Sequence, residues 1–377
     1  MDAQEERPAL VTCPHCGSVV PSGDFCGHCG AHLTTGSVRR MNAYTAAPAQ
    51  GVAHVAIIST LFPHLPQRRG GPFRVALGAG AALVALLAGL HLFAPATTTA
   101  VLVLPVLYLM YLYEVEVYET EPWLVVGATM VTGALLGLVF TNLTGGTLSQ
   151  LVLTGDRDTA LVLAGVVIPV VAQLLMLAGP LCLYLLRGHF REPLDGLTFG
   201  AASALGFTLA SSLTQLWPLF AGPLVAAGSP VDWALRLARL GLLVSLVNAC
   251  TTAAVAAAIW LHRYDRRRTG RPWHSTILSA LVVAFGVQVA VGVTGFFVDD
   301  LVVDVAILAA MAVALLLYLR WVIHDALLVE GAAHEIGPDG PCPECHRVVP
   351  TMAFCPACGA ARAAAPKQGR RRVSAGI

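Results

Sequence analysis

The stretch Leu161–Leu186 reads LVLAGVVIPV VAQLLMLAGP LCLYLL, 26 residues without a charged side chain. As helix, about 20 apolar residues cross the hydrocarbon of a bilayer. Inside lipid only helices and closed barrels satisfy their own backbone groups. A barrel strand would alternate apolar and polar positions, and this run does not. It therefore reads as a membrane-spanning helix over Thr159–Leu186, with Pro169 and Pro180 tolerated as kinks.

Working outward, seven further stretches have the same character: Val75–Phe93, Ala100–Tyr113, Leu124–Phe140, Leu197–Leu216, Leu235–Leu261, Ile277–Val298 and Leu301–Ile323. The apolar stretch Pro218–Val231 is broken by Gly and Pro and reads as a re-entrant loop. The fold expected is an all-α polytopic membrane protein of about eight transmembrane helices, flanked by two small cysteine modules. Composition agrees. Of 377 residues 56% are hydrophobic and 12% charged, and mean hydropathy is +0.71. A soluble domain carries about 25% charged residues. This excludes a soluble enzyme, a disordered chain and a nucleic-acid binder with a broad basic face. The net charge of +1 names no partner. The first 35 residues are polar and cysteine-bearing, unlike a cleavable signal peptide.

Arginine placement gives the expected orientation. Arg68, Arg69 and Arg74 precede the first span, and Arg187 and Arg191 follow the fourth. Arg263, Arg266, Arg267, Arg268 and Arg271 follow the sixth, and Arg320 closes the eighth. The loops near Pro95, Asn142 and Asp299 carry almost none. Both termini are thus expected in the cytoplasm. Arg236 and Arg239 do not fit the alternation and are read as snorkelling to the interface. Asp304, a turn inside its span, is read the same way.

Eight of ten cysteines fall into four CxxC pairs at the chain ends. Cys13-Pro-His-Cys16-Gly is followed by Cys26-Gly-His-Cys29-Gly, and Cys342-Pro-Glu-Cys345-His by Cys355-Pro-Ala-Cys358-Gly. Nine residues separate the pairs in both modules. Val19-Val20-Pro21 and Phe25 recur as Val348-Val349-Pro350 and Phe354, so the modules are an internal repeat. A CxxC turn aims two thiolates at one ion, and a following Gly permits the tight turn. Modules this small lack a core, so metal would supply their folding energy. The reading is two short zinc ribbons with two structural zinc ions, held by Cys13, Cys16, Cys26 and Cys29 and by Cys342, Cys345, Cys355 and Cys358. Redox CxxC pairs would sit in a βαβ pattern, which is absent, and disulfides are disfavoured in the cytoplasm. His15, His28, His32 and His346 are surplus to four-cysteine sites. Cys182 and Cys250 read as small buried hydrophobes. The expected organisation is a ribbon over 1–35, a linker over 36–72, the helical domain over 73–325, a linker over 326–338, a ribbon over 339–361 and a basic tail over 362–377.

Two core stretches resemble the PrsW family of intramembrane proteases. One is Tyr118-Glu119-Thr120-Glu121-Pro122-Trp123, followed by Gly133-Ala134. The other is Glu192-Pro193-Leu194-Asp195-Gly196-Leu197-Thr198-Phe199-Gly200-Ala201, then Leu205-Gly206-Phe207. The resemblance covers roughly 75–320 and implies a multi-pass protein of the bacterial cytoplasmic membrane. It also implies a glutamate pair with a lysine one turn on, a Glu-Asn after Gly-Phe, and a histidine in a later helix. This chain departs at each place. Ala172-Gln173 stands at the glutamate pair, with Met176 at the lysine position. Ser211-Ser212 stands at Glu-Asn, and Asn248, with Thr251 and Thr252, lies where histidine is expected. Hydrolysis needs a base or a metal to make a nucleophile from water, and these groups supply neither.

The expectation is a non-catalytic PrsW-like membrane protein, a pseudoenzyme whose cytoplasmic ribbons dock a protein partner. Gln173, Ser211, Ser212 and Asn248 would form either a vestigial cleft that binds a transmembrane segment or plain interhelical hydrogen bonds. Asp195 reads as a helix N-cap. One alternative is an active intramembrane peptidase using Glu114, Glu116, Glu119 or Glu121, a group otherwise read as a solvated helix end. A second is a small-molecule or lipid transporter, although the core shows no internal repeat. The partners expected are membrane lipid and protein, with no nucleic acid.

Overall fold

In the computed structural model, residues 9–33, 44–47, 50–63, 71–114, 123–154, 157–186, 192–218, 229–265, 274–331 and 335–364 are described. The chain divides into two compact units. One comprises residues 70–266 and 270–319, and the other draws on both chain ends.

The first unit is helical. Its elements are α2 (Pro72–Gly89), α3 (Phe93–Glu114), α4 (Trp123–Thr154), α5 (Arg157–Val162) running through a π-helical turn into α6 (Ile168–Leu186), and α7 (Pro193–Leu216). Then come α8 (Pro230–Leu237), joined by a second π-helical turn to α9 (Val244–Asp265), and α10 (His274–Phe297). The helix α11 (Leu301–Gly331) begins here. Among the described residues, eight helices are long and apolar enough to cross a membrane, as the sequence leads one to expect.

Several helix ends differ from the sequence reading. α3 begins at Phe93 and includes Pro95, which the sequence suggests is loop. Proline in a first helical turn sacrifices no hydrogen bond. α4 continues past Phe140 because Asn142 and Thr144 turn their side chains back onto the Leu138 and Phe140 carbonyls, so polar residues there do not end the helix. α11 extends through 326–331, expected as linker, because Ala326 and Leu327 continue its buried face. Of the stretch read as a re-entrant loop, residues 219–228 lie outside the described residues.

α7 is the central helix, packed between α4 and α9. In its membrane window 78% of residues are buried, against 6% for the peripheral α2. Glycine makes this approach possible. A Cβ on Gly206 would run into the Met130 carbonyl of α4, and one on Gly133 of α4 into the Ser203 carbonyl of α7. On the other face, a Cβ on Gly200 would stand 2.8 Å from the Cα of Ala253, and one on Gly196 2.7 Å from the Ala256 carbonyl. Gly133 and Gly137, like Gly196 and Gly200, lie four residues apart, the small-xxx-small spacing that lets helix backbones touch. α9 answers with buried Ala249, Ala253, Ala254, Ala256, Ala257 and Ala258.

α7 starts with a capping box. Glu192 is the N-cap, and Asp195 at the third helical position accepts from the Glu192 N–H at 3.0 Å. Asp195 is thus the box partner rather than the cap itself. The charges read as snorkelling are also placed differently. Arg239 Nε donates to Asp304 Oδ2 at 2.6 Å, joining the second π-helical turn to α11. The pair lets each charge neutralise the other at the bundle edge. Cys250 is buried as expected, whereas Cys182 is exposed on α6.

The second unit contains two antiparallel hairpins, β1 (Leu10–Thr12) with β2 (Val19–Pro21), and β3 (Asp339–Pro341) with β4 (Val348–Pro350). It also holds a strap over 44–47 and 50–63 with the short helix α1 (Ile57–Leu61), in what the sequence suggests is linker. Arg320 fastens the strap. The fully buried guanidinium lies 4.0 Å from the Tyr44 ring centroid and donates to Ser59 Oγ at 2.9 Å and to the Gly51 carbonyl at 3.0 Å. Desolvation raises the Tyr44 phenol above its usual range, and the guanidinium offsets part of that rise.

Candidate functional sites

Two kinds of site emerge, one at membrane depth and one in the terminal modules.

Gln173 of α6 is fully buried. Its amide nitrogen donates to Thr252 Oγ1 at 3.3 Å, and its oxygen accepts from Thr251 Oγ1 at 3.1 Å and from the amide of Gln288 at 3.0 Å. Gln288 Nε2 also donates to Asn248 Oδ1 at 2.9 Å, and Asn248 donates to Thr208 Oγ1 at 2.8 Å. Helices α6, α7, α9 and α10 thus converge on one closed network of amides and hydroxyls. Every member is neutral, and donors and acceptors answer one another, the condition under which a buried polar cluster is stable.

Of the residues singled out from sequence, Gln173 and Asn248 meet through Gln288. Ser211 and Ser212 stand apart. Ser211 donates to the Gly137 carbonyl of α4 at 3.3 Å, and Ser212 is buried a residue further on without joining the network. Gln288 and Thr208 were missed. The signal for Gln288 was present, since a glutamine flanked by Val287 and Val289 in an otherwise apolar span needs a partner. The acidic stretch Glu114–Glu121 lies outside the described side chains.

In the terminal modules each hairpin brings two CxxC turns together. The Gly17 N–H closes the first turn on the Cys13 carbonyl at 2.9 Å, and Gly30, His346 and Gly359 repeat this on Cys26, Cys342 and Cys355 at 2.8–2.9 Å. All four closing residues have positive φ, from 60° to 74°. Three are glycine, for which this conformation carries no steric penalty. His346 fills the fourth turn, a backbone role quite apart from metal ligation.

The sulfur atoms form two compact groups. Cys13 and Cys29 Sγ are 3.9 Å apart and Cys16 and Cys26 3.8 Å, while Cys342–Cys358 and Cys345–Cys355 are both 3.8 Å. Within each group all four sulfurs lie within 4.8 Å of one another, and no disulfide links them. A tetrahedron with metal–sulfur bonds of about 2.3 Å has edges of about 3.8 Å. The crowding separates the thiols' acidities. Cys26 accepts from the Cys29 thiol and from backbone N–H groups, which pulls it down to about 5, while Cys29 as donor is pushed up. Cys355 is pulled down to about 3 by the Cys342 and Cys358 thiols, and Cys358 is pushed up. A divalent cation resolves the conflict, because all four can then be thiolates. Both groups therefore have the geometry to hold a metal ion.

No curated protein and no solved structure matches this chain. A family model described as PrsW family intramembrane metalloprotease matches residues 121–321, more than half of the 377 residues and the whole of the α7 seam. With eight apolar helices around that seam, the chain belongs to the PrsW family.

Proposed function

We propose that this protein is a non-catalytic member of its family, which engages membrane segments or lipid through its helices and a protein partner through zinc-loaded terminal ribbons. The observation that carries this reading is the closed network of Gln173, Asn248, Thr251, Thr252 and Gln288. The family's description implies a metal for hydrolysis, and these residues do not fit one. Their oxygens are neutral amide and hydroxyl oxygens already bonded within the network. Among the described residues, groups of three or more His, Cys, Asp or Glu side chains close enough to share an ion occur in the two cysteine clusters alone. A divalent ion at membrane depth would lack anionic ligands to offset its desolvation. Water activation likewise needs a base that amides and hydroxyls do not provide.

Zinc is the metal that best suits four thiolates at tetrahedral spacing. A closed four-thiolate site is structural, so the modules serve folding and docking. Exposed Leu10, Val19 and Val348 on the hairpins supply apolar contact area for a partner. The direct packing of one ribbon on the other supports both chain ends lying on one side of the membrane, and the arginine alternation favours the cytoplasmic side.

The test is cleavage. Purified protein co-reconstituted into liposomes with single-span peptides is expected to leave them intact over hours. Products that disappear on substituting Glu114, Glu116, Glu119 or Glu121 by Gln would establish instead an intramembrane peptidase working from the acidic stretch.

A further inference from the structure

The two ribbons touch through equivalent residues. Phe25 N–H donates to the Pro356 carbonyl at 2.9 Å, and Phe354 N–H donates to the Gly27 carbonyl at 2.9 Å. Phe25 and Phe354 hold the same position of the repeat, as do Gly27 and Pro356, so each bond is the symmetry mate of the other. The side chains follow. A Cβ on Gly30 would stand 3.0 Å from the Phe354 ring, and one on Gly359 2.5 Å from the Phe25 ring. A Cβ on Gly27 would run into Met352, and one on Gly23, the position equivalent to Met352, would meet the Pro356 carbonyl at 2.6 Å. This is an isologous interface, of the kind two identical subunits form, built inside one chain from its opposite ends.

The bonded atoms lie within the metal turns. Gly27 sits between Cys26 and Cys29, and Pro356 between Cys355 and Cys358. Each donor, Phe25 or Phe354, directly precedes a ligand of its own ribbon. The carbonyl that one ribbon offers is therefore oriented by that ribbon's own turn, and it holds the backbone next to a ligand of the other. Cys13, Cys26 and Cys29 share a buried cluster with Met352 of the opposite ribbon, and Phe354 is 1% exposed.

We infer that the two four-cysteine groups are one cooperative metal-binding unit, in which an ion in either ribbon strengthens binding in the other by ordering the shared interface. This rests on the reading of both groups as zinc sites. An empty ribbon of this size has too little core to keep its turn, so emptying one site removes half of the interface that braces the other. The coupling is reciprocal, because the effect of site one on site two equals that of site two on site one.

The experiment is a zinc titration of the full-length protein in detergent against a chromophoric chelator. Three variants accompany the wild type: Cys13→Ser with Cys16→Ser, Cys342→Ser with Cys345→Ser, and Gly23→Val, which leaves all eight cysteines in place. Each double-serine variant is expected to bind one ion at its intact site, about tenfold or more weakly than the wild type does. By reciprocity the two losses should be equal in ratio. Gly23→Val should still bind two ions, both more weakly, because its side chain meets the Pro356 carbonyl. Wild-type affinity at the intact site of both double variants, or in Gly23→Val, would overturn the coupling while leaving the zinc reading standing. A wild-type protein that takes up no zinc would overturn both.

Discussion

Replacing Gly206 by leucine is expected to abolish recovery of folded, monodisperse protein from detergent extracts. A Cβ at this position would overlap the Met130 carbonyl of α4. The obstacle is backbone rather than the end of a flexible side chain, so relief requires α4 and α7 to separate. Overpacking typically costs about 1–3 kcal/mol where side chains can shift. Here separation would also uncouple Gly133 from Ser203 and Gly137 from Phe207 along the same seam, so the loss should exceed that range. Gly78 on α2 is the control, since a Cβ there meets nothing within 4 Å. Gly78→Leu should behave as wild type in size-exclusion chromatography and thermal denaturation. Equal recovery of the two variants would show that α4 and α7 are not held backbone to backbone.

The second large effect is expected at Gln173. Gln173→Glu places a carboxylate where the side chain is fully buried and its neighbours are neutral. The network can turn hydroxyl and amide donors toward it but offers no positive charge. Breaking the Gln173 to Thr252 donation and burying an unpaired charge should together cost about 3 kcal/mol or more. Thermal denaturation in detergent should register this as a clear fall in midpoint. A variant as stable as wild type would mean that water or a cation reaches the network, which is the property a hydrolytic site needs.

The eight spans were legible because lipid imposes a simple rule: uncharged runs of about 20 residues can be little else than spans. The ribbons were legible because CxxC spacing and repeat identity are local. The glycines of α7 could be read as packing positions, yet their partners on α4 and α9 depend on which helices are neighbours, which periodicity does not encode. The same limit hid the pairing of Arg239 with Asp304, each of which, taken alone, reads as an interface residue. Ser211 and Gln288 show both directions of error at the polar site. The family pattern points to Ser211, whose hydroxyl is turned onto α4, and not to Gln288, which links Gln173 to Asn248. The ribbon–ribbon interface joins residues more than 300 positions apart and had no local signal beyond the repeat itself.

On the proposed function, metal belongs to the terminal ribbons and the membrane core holds none. Elemental analysis of the full-length protein, alongside a variant with Cys13, Cys16, Cys26, Cys29, Cys342, Cys345, Cys355 and Cys358 all changed to Ser, tests it most directly. Two zinc ions per chain are expected in the wild type, one for each four-cysteine group, and none in the variant. A tightly held ion that persists in this eightfold variant, which keeps Cys182 and Cys250, and is lost on Gln173→Ala or Asn248→Ala would overturn that assignment and place a metal centre in the bundle.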